Sequence, residues 1–507
     1  MSHWFSSILI LAWFGWCGVA MGASEKPNLL LITVDDMNAD SVGIFGSDVA
    51  EITPNIDQLA QDGLRFEYAH VQVANCMPSR NVMWSGRYPH SNRVEGFFQN
   101  RAPDYPTLAD LAKQAGYFTA IRHKLKDSTP YTPYPWDLVL DNVPKGAKYD
   151  KKDAGSYGIA TAEGIRSAKA AGKPFCILIN IADPHRPYFG LDKNGEPIDD
   201  LFVPSRVYTA EEVAVPGYLV DDPVVRQELA HYYSSVRRAD DAVGQVLHAL
   251  EKSGEADNTL TLFLSDHGMA FPFAKTQLYH HSTRTPLIVR WPGVAKANSI
   301  DAQHMVSAVD ILPTLLDSIG ADAPKSIQGR SFLPLLKGES QRDRNWVVKE
   351  YNENSRGDRN PMRAIESQRF LYVFNPWSDG RRTMTSATSS TPTHQRMLEL
   401  AKDNPPLAER MDFLKHRVLE EFYDIQNDPN ALVNLIADPQ YQPEVTQLRN
   451  ALEESMRDTN DPMLPAFLDR KNPQALKDYM LVQDFVTQSR RTMIRAFKKR
   501  KKTRDSE

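Results

Sequence analysis

Three short apolar stretches of the sequence each end in residues equipped for chemistry. Residues 29–34 run into Asp35 and Asp36, residues 175–181 into Asp183, Pro184 and His185, and residues 259–264 into Ser265, Asp266 and His267. A further cluster, Cys76, Met77, Pro78, Ser79 and Arg80, is followed by Ser85, Gly86, Arg87 and Tyr88. Adjacent carboxylates either hold a hard divalent cation or cap a turn. A histidine titrates near neutral pH and passes protons. A cysteine is either a reactive sulfur or a small buried hydrophobe, and the apolar run around Cys176 gives that residue the second character.

The elements that position these groups follow from periodicity. Each apolar run reads as a buried strand. Between the runs lie helical patterns: Thr53, Pro54 and Asn55 open a segment that Gly63 closes, and residues 107–115 are closed by Gly116. The longest helix is expected over 224–252, with Leu229, Tyr233, Val236, Val243, Leu247 and Leu250 at near-helical spacing and Gly254 beyond its end. Strands alternating with helices predict an α/β fold with a large mixed, mostly parallel sheet sandwiched by helices. Ligands of such sheets bind beyond the carboxyl ends of the strands, where the polar clusters fall. After about residue 346 the texture changes to short strand-like pieces at 370–374 and 421–425. The expected division is therefore a large domain at 24–345, a smaller α+β domain at 346–465 and a basic helical or disordered tail at 466–507. Residues 378–393, crowded with Ser, Thr and Gly, predict an exposed loop.

The length of 507 residues exceeds what one hydrophobic core usually organises, and 41% hydrophobic with 24% charged residues excludes a coiled coil, a collagen and a disordered chain. The formal charge is −5, yet residues 490–507 hold nine Lys or Arg against two acids, so the rest is more acidic still. That balance excludes an all-over nucleic-acid surface. The basic tail is read as a solvated segment or as a contact for an anionic surface. Residues 8–20 are apolar and lead into Ala20, Met21 and Gly22, the pattern of a signal peptide at 1–23, with an uncleaved anchor as the alternative. Cys17 falls inside it, which leaves Cys76 and Cys176, too few for a disulfide framework. The chain has no Asn-x-Ser/Thr acceptor, so the expected location is the periplasm or the medium of a bacterium.

Cys-x-Pro-Ser-Arg at 76–80, with a small residue and Gly86 downstream, resembles the signature of the sulfatase family, in which that cysteine becomes formylglycine through a formylglycine-generating enzyme. The resemblance extends through residues 29–36, 183–186, 265–279, 310–316, 361–364 and 422–435, and looks closest to the heparan N-sulfatase (sulfamidase) branch in Phe271, Pro272 and Phe273 followed by Lys275, Thr276, Gln277, Leu278 and Tyr279. It implies an alkaline-phosphatase-like fold and hydrolysis of sulfate esters or sulfamates of a sulfated glycan, N-sulfoglucosamine first. The negative oxygens of such a group repel attack, so the reaction needs a strong nucleophile and concentrated positive charge. A hydrated formylglycine has two hydroxyls, one to attack sulfur and one whose collapse to the aldehyde expels sulfate.

By the same resemblance Asp35, Asp36, Asp266 and His267, with the modified Cys76, hold a calcium ion. The sulfamidase pattern has Asn where this chain has His267, and the softer imidazole leaves manganese or zinc as alternatives. Arg80 orients the formylglycine and the metal ligands, Lys124 and Lys275 face the sulfate oxygens, and His185 protonates the leaving group. Where the family has Lys-x-His, this sequence reads His123, Lys124, Leu125, Lys126. Either Lys126 takes the missing contact, His123 reaches it from another direction, or the elimination step is impaired. Arg186, His280, His281 and Arg284 are candidate sugar contacts or plain surface residues. The rival readings are a phosphate or phosphonate ester hydrolase of the same superfamily and a catalytically silent glycan-binding homologue.

Overall fold

The computed structural model describes residues 26–142 and 150–504, so the expected signal segment lies outside the described residues. Its large sheet has eight strands in the order β5 (Leu138–Val139), β4 (Phe118–Arg122), β6 (Phe175–Asn180), β1 (Asn28–Val34), β7 (Thr259–Ser265), β8 (Leu287–Arg290), β2 (Leu64–Phe66) and β9 (Ser299–Asp301). The strands from β5 to β7 are parallel, and β8 runs antiparallel to both of its neighbours. The β1 sequence is apolar without alternation because both faces of the sheet are covered. Leu30, Ile32 and Val34 enter one core with the helices Ala154–Ala170 and Pro223–Ser253. Leu29 and Leu31 enter the other with the helices Leu108–Gln114 and Ile311–Ser318. The long helix has defined ends: the Asp222 side chain accepts from the Val224 N–H, Pro223 fills the first turn, and Gly254 turns left-handed at φ 76°. A two-stranded parallel patch joins β3 (Ala69–His70) to β10 (Val306–Ser307).

The change of texture at residue 346 coincides with the start of a four-stranded antiparallel sheet, β11 (Trp346–Glu353), β12 (Arg359–Ser367), β13 (Phe370–Phe374) and β14 (Glu420–Asp424). Ile365, Tyr372, Phe374 and Phe422 on one face pack with Val445, Leu448 and Leu452 of the helix Gln442–Asp458. Ala364, Leu371, Val373 and Tyr423 on the other belong to the core of the large sheet.

The segment 378–393 is a loop with exposed positions such as Asp379, Arg381, Thr383 and Thr385, but the expectation of exposure is corrected for the positions between them. Met384, Ser386, Thr388 and Thr391 are buried; the hydroxyls of Ser386 and Thr388 bond each other, Ser386 also meets Thr276, and Thr391 Oγ1 accepts from the His394 N–H. The basic tail belongs to a 32-residue helix, Pro473–Arg504.

Candidate active site

Strands β6, β1 and β7 lie side by side, so their carboxyl ends deliver His185, Asp35 with Asp36, and Asp266 with His267 to one place. The wholly buried helix Cys76–Ser85 starts there and is fixed to β7 by Ser79, whose Oγ donates to the Asp266 carbonyl at 2.6 Å. Cys76 Sγ lies 3.4 Å from Asp35 Oδ1, 3.3 Å from His267 Nε2 and 3.6 Å from Lys275 Nζ. The residue is only 2% exposed, and burial together with the Asp35 charge pushes its thiol well above the usual range. A thiol so placed is a poor nucleophile, which accords with a cysteine kept for conversion to another group.

Three buried carboxylates in contact must be compensated. Lys275 Nζ donates to both Asp36 oxygens at 2.6 and 2.8 Å, and Lys124 Nζ pairs with Asp35. Arg80 reaches Asp266 at 2.9 Å through one nitrogen and Thr33 Oγ1 and Asn180 Oδ1, each at 2.6 Å, through the other. Burial alone would raise Asp35, but Lys124, His185 and Arg80 hold it well below the usual carboxylate range. Lys275 lowers Asp36 against its burial, whereas burial and the Asp35 charge leave Asp266 raised. Asp36, Lys124 and Thr276 all take positive φ, at 67°, 47° and 67°. Such a backbone costs roughly 1–3 kcal/mol per residue and is concentrated where side chains must be aimed.

The donor set fits a divalent cation. Oxygen, sulfur and nitrogen atoms of Asp35, Cys76, Asp266 and His267 lie within 4.8 Å of one another, as do those of Asp35, Asp36, Cys76 and His185. His267 Nδ1 is 2.9 Å from the Gly268 carbonyl, to which its N–H donates, and Nε2 points at Asp36 Oδ1, 3.2 Å away, and at Cys76 Sγ. A histidine whose Nδ1 is held by a carbonyl presents Nε2 as the nitrogen that a cation among these carboxylates would use.

Above these groups a cavity of about 480 Å³ is lined by Asp36, Cys76, Lys124, His185, Arg186, Tyr188, Glu228, Lys275, Thr276 and Ser390, among others. His185 is fixed through Nδ1, 2.6 Å from the Arg186 carbonyl, and burial brings it down to about 4 against the upward pull of Asp36 and Asp35. Its turn is anchored by Asp183, which accepts from Lys152 Nζ at 2.5 Å and Arg238 Nε at 2.7 Å.

Of the expected site residues, Cys76, Arg80, Lys124, His185, Lys275, Asp35, Asp36, Asp266 and His267 thus converge, and Arg186 borders the same cavity. Lys126 and His123 line an adjoining pocket of about 400 Å³ with Asp127 and Lys151, which shares Asp35, Lys124 and His185 with the site. His281 is corrected to a packing residue: its ring stacks on Tyr218 at 3.9 Å and Nε2 meets the Phe273 carbonyl at 3.0 Å. His280 and Arg284 are likewise occupied, by Glu366 and Glu67. Sequence reasoning missed Thr33 and Asn180, which hold Arg80, and Glu228, Thr276 and Ser390 of the cavity wall.

The sulfatase family model matches residues 27–321, and a model described as N-sulphoglucosamine sulphohydrolase, C-terminal, matches 266–377. An ulvan-active sulfatase of Formosa agariphila is 29% identical over 423 residues, which cover 82% of this chain and 77% of that protein. The N-sulphoglucosamine sulphohydrolase of Homo sapiens is 29% identical over 469 residues, 87% of this chain and 91% of that one. Among solved structures, a protein in complex with its substrate D-glucosamine-2-N,6-O-disulfate superimposes with a TM-score of 0.64 at 20% identity, covering 86% of this chain and 99% of the other. A phosphonate monoester hydrolase of Agrobacterium radiobacter gives 0.60 at 20% identity, over 86% and 96%. The chain belongs to the sulfatase family, hydrolases of sulfate esters and sulfamates.

Proposed function

We propose that this sulfatase releases sulfate from a sulfated saccharide, with an N-sulfated glucosamine as the favoured substrate, through a formylglycine made from Cys76. The observation that carries the reading is the position of Cys76, which starts a buried helix at the base of the cavity with three carboxylates, Lys275 and His267 around its sulfur. The preference for an N-sulfated sugar is supported by the family model over 266–377 and by the human relative.

Formylglycine supplies, when hydrated, one hydroxyl for attack on sulfur and a second whose collapse releases sulfate. Asp35, Asp36, Asp266 and His267 would hold a divalent cation, for which the carboxylates favour calcium, and that ion supplies charge neutralisation. Lys124 and Lys275 border the cavity and offer their charge to the sulfate oxygens. Arg80, gripped by Thr33 and Asn180, keeps Asp266 and Asp35 in place. His185 rests neutral, and an anionic sulfate beside it favours its protonated form, which then donates to the departing oxygen or nitrogen. The expected signal makes the protein an exported bacterial enzyme that requires a formylglycine-generating enzyme for maturation. Among the described residues no helix is long and apolar enough to cross a membrane.

The test is inorganic sulfate release from N-sulfoglucosamine and from 6-O-sulfated glucosamine by protein coexpressed with a formylglycine-generating enzyme, with Cys76→Ala as control. Release from the N-sulfated sugar that the control lacks is the expected result. Release from the 6-O-sulfated sugar alone overturns the substrate, and faster phosphate release from matched phosphate esters overturns the reaction class. No release, with the aldehyde confirmed by peptide mass, turns the reading to a silent binder. A chelator should abolish turnover, and metal analysis of the active protein decides between calcium and a softer ion.

A further inference from the structure

His185 reaches the cavity on a short turn that its neighbours hold at several points. One of its ring nitrogens lies within 4.8 Å of Cys76 Sγ and of oxygens of Asp35 and Asp36. Its backbone N–H donates to the Ala182 carbonyl at 3.1 Å, and Ala182 in turn donates to Tyr157 Oη at 2.9 Å. The Asp183 carbonyl accepts from the Asp35 N–H at 3.2 Å, so the turn is stitched to the end of β1, where the candidate cation ligands begin.

The remaining hold on His185 comes from a charged side chain. Lys152 lies just before the helix Ala154–Ala170 and points inward, its side chain only 11% exposed. An ammonium is seldom brought inside unless its donors are used. Here Nζ donates to the His185 carbonyl at 2.7 Å and to Asp183 Oδ1 at 2.5 Å. Asp183 has a second partner in Arg238, whose Nε donates to Oδ2 at 2.7 Å and whose Nη2 donates to Oδ1 at 3.3 Å. That guanidinium is itself fixed by Asp200 Oδ2 and the Phe202 carbonyl, each at 2.9 Å. Without Lys152 the Asp183 carboxylate would therefore stay paired, whereas the His185 carbonyl has no other donor among the described residues.

We propose that Lys152 is a positioning residue for His185, its ammonium bridging the Asp183 carboxylate and the His185 carbonyl so that the imidazole stands in one place beside the reacting groups. The inference rests on the acid role given to His185 in the proposed function. It adds a residue that lines neither the cavity nor the adjoining pocket and acts only through the turn.

The experiment is a cycle of Lys152→Met, His185→Ala and the double variant in the matured enzyme, read on a sulfated sugar and on an aryl sulfate. Methionine keeps the length of the side chain and removes its charge and donors. A shift of about 1 Å at a catalytic group costs on the order of a hundredfold, so Lys152→Met should lower kcat on the sugar roughly 10- to 100-fold with KM little changed. The aryl sulfate should lose far less, and Lys152→Met should add nothing once His185 is gone. Losses that multiply in the double variant, or that are equal on the two substrates, overturn the proposal, because a general disturbance of the fold would produce them. Crystal structures of Cys76→Ala with and without Lys152→Met give a reading independent of turnover. The expected result is a displaced His185 turn with Asp183 still on Arg238, and an unmoved His185 overturns the proposal. If Lys152→Met does not fold, Lys152→Gln, with a shorter chain that keeps a donor, takes its place in both measurements. An enzyme silent on both substrates counts against the proposed function alone, and the crystal structures still decide the role of Lys152.

Discussion

His185 is held between two opposing influences: burial strips its proton, while Asp36 and Asp35 favour the charged ring. In the proposed role of proton donor it would matter in proportion to the basicity of the leaving group. His185→Ala should therefore cost roughly 10²–10⁴-fold in kcat/KM on a sulfated sugar. An aryl sulfate, whose phenolate departs unaided, should lose far less, and equal losses on both would remove the acid role. Lys126 faces the adjoining pocket, so Lys126→Ala should leave kcat nearly unchanged; a large fall would mean that it reaches the reacting groups after all. The carboxylates, His185 and Arg80 were legible because they follow on buried strands or sit in one contiguous motif, whereas Lys124 and Lys275 were legible only through the family resemblance. Thr33 and Asn180 were not, since inside a strand a polar residue gives no sign that it grips an arginine. Glu228 hides in the buried stripe of a long helix, and the hydroxyls at 386 and 388 suggested solvent because their partner, Thr276, is distant in sequence.

Between elements, a polar cluster ties the small sheet to the short helix Pro89–Asn92. On β11, Glu350 accepts from both the backbone and Nδ1 of His90, at 2.8 and 2.6 Å, and lies 3.8 Å from Arg363 of β12. Burial would raise Glu350, yet Arg363 and His90 bring it down to about 2 from an ordinary 4.5. A depressed carboxylate stabilises fully above its ordinary value and loses that contribution as pH falls from 4.5 toward 2. His90 has the opposite sign: burial would lower it, Glu350 raises it, and its contribution fades as pH rises from the ordinary 6.5 through the raised value. Glu350→Gln should thus flatten the acid limb of Tm against pH and blunt the alkaline limb due to His90. Unchanged slopes in a thermal melt series would show that the cluster adds nothing. The strands themselves were legible from apolar runs and turns, but this lock was not, because its members come from residues 90, 350, 363 and 461.

At the scale of the whole molecule, the small sheet is no appendage. Its inner face, Ala364, Leu371, Val373 and Tyr423, completes the core of the large sheet, and Ser355, Ala387, Ser390 and Pro392 complete the cavity wall. The sequence division at residue 346 marks a change of texture rather than an independent folding unit. A chain ending at residue 345 should fail to fold, with insoluble expression or strong binding of a hydrophobic dye. A soluble fragment with a cooperative melt would overturn this shared-core view.

The depth of Cys76 sets an order of events in the life of the chain. Every residue of its helix is buried, and the thiol lies at the floor of a walled cavity. If Cys76 is converted as proposed, a modifying enzyme has no access to a segment so enclosed, and the conversion should precede folding. Maturation and folding would then compete in time: protein folded without the maturation enzyme should stay inactive when that enzyme is supplied afterwards, and recovered sulfate release would overturn this order.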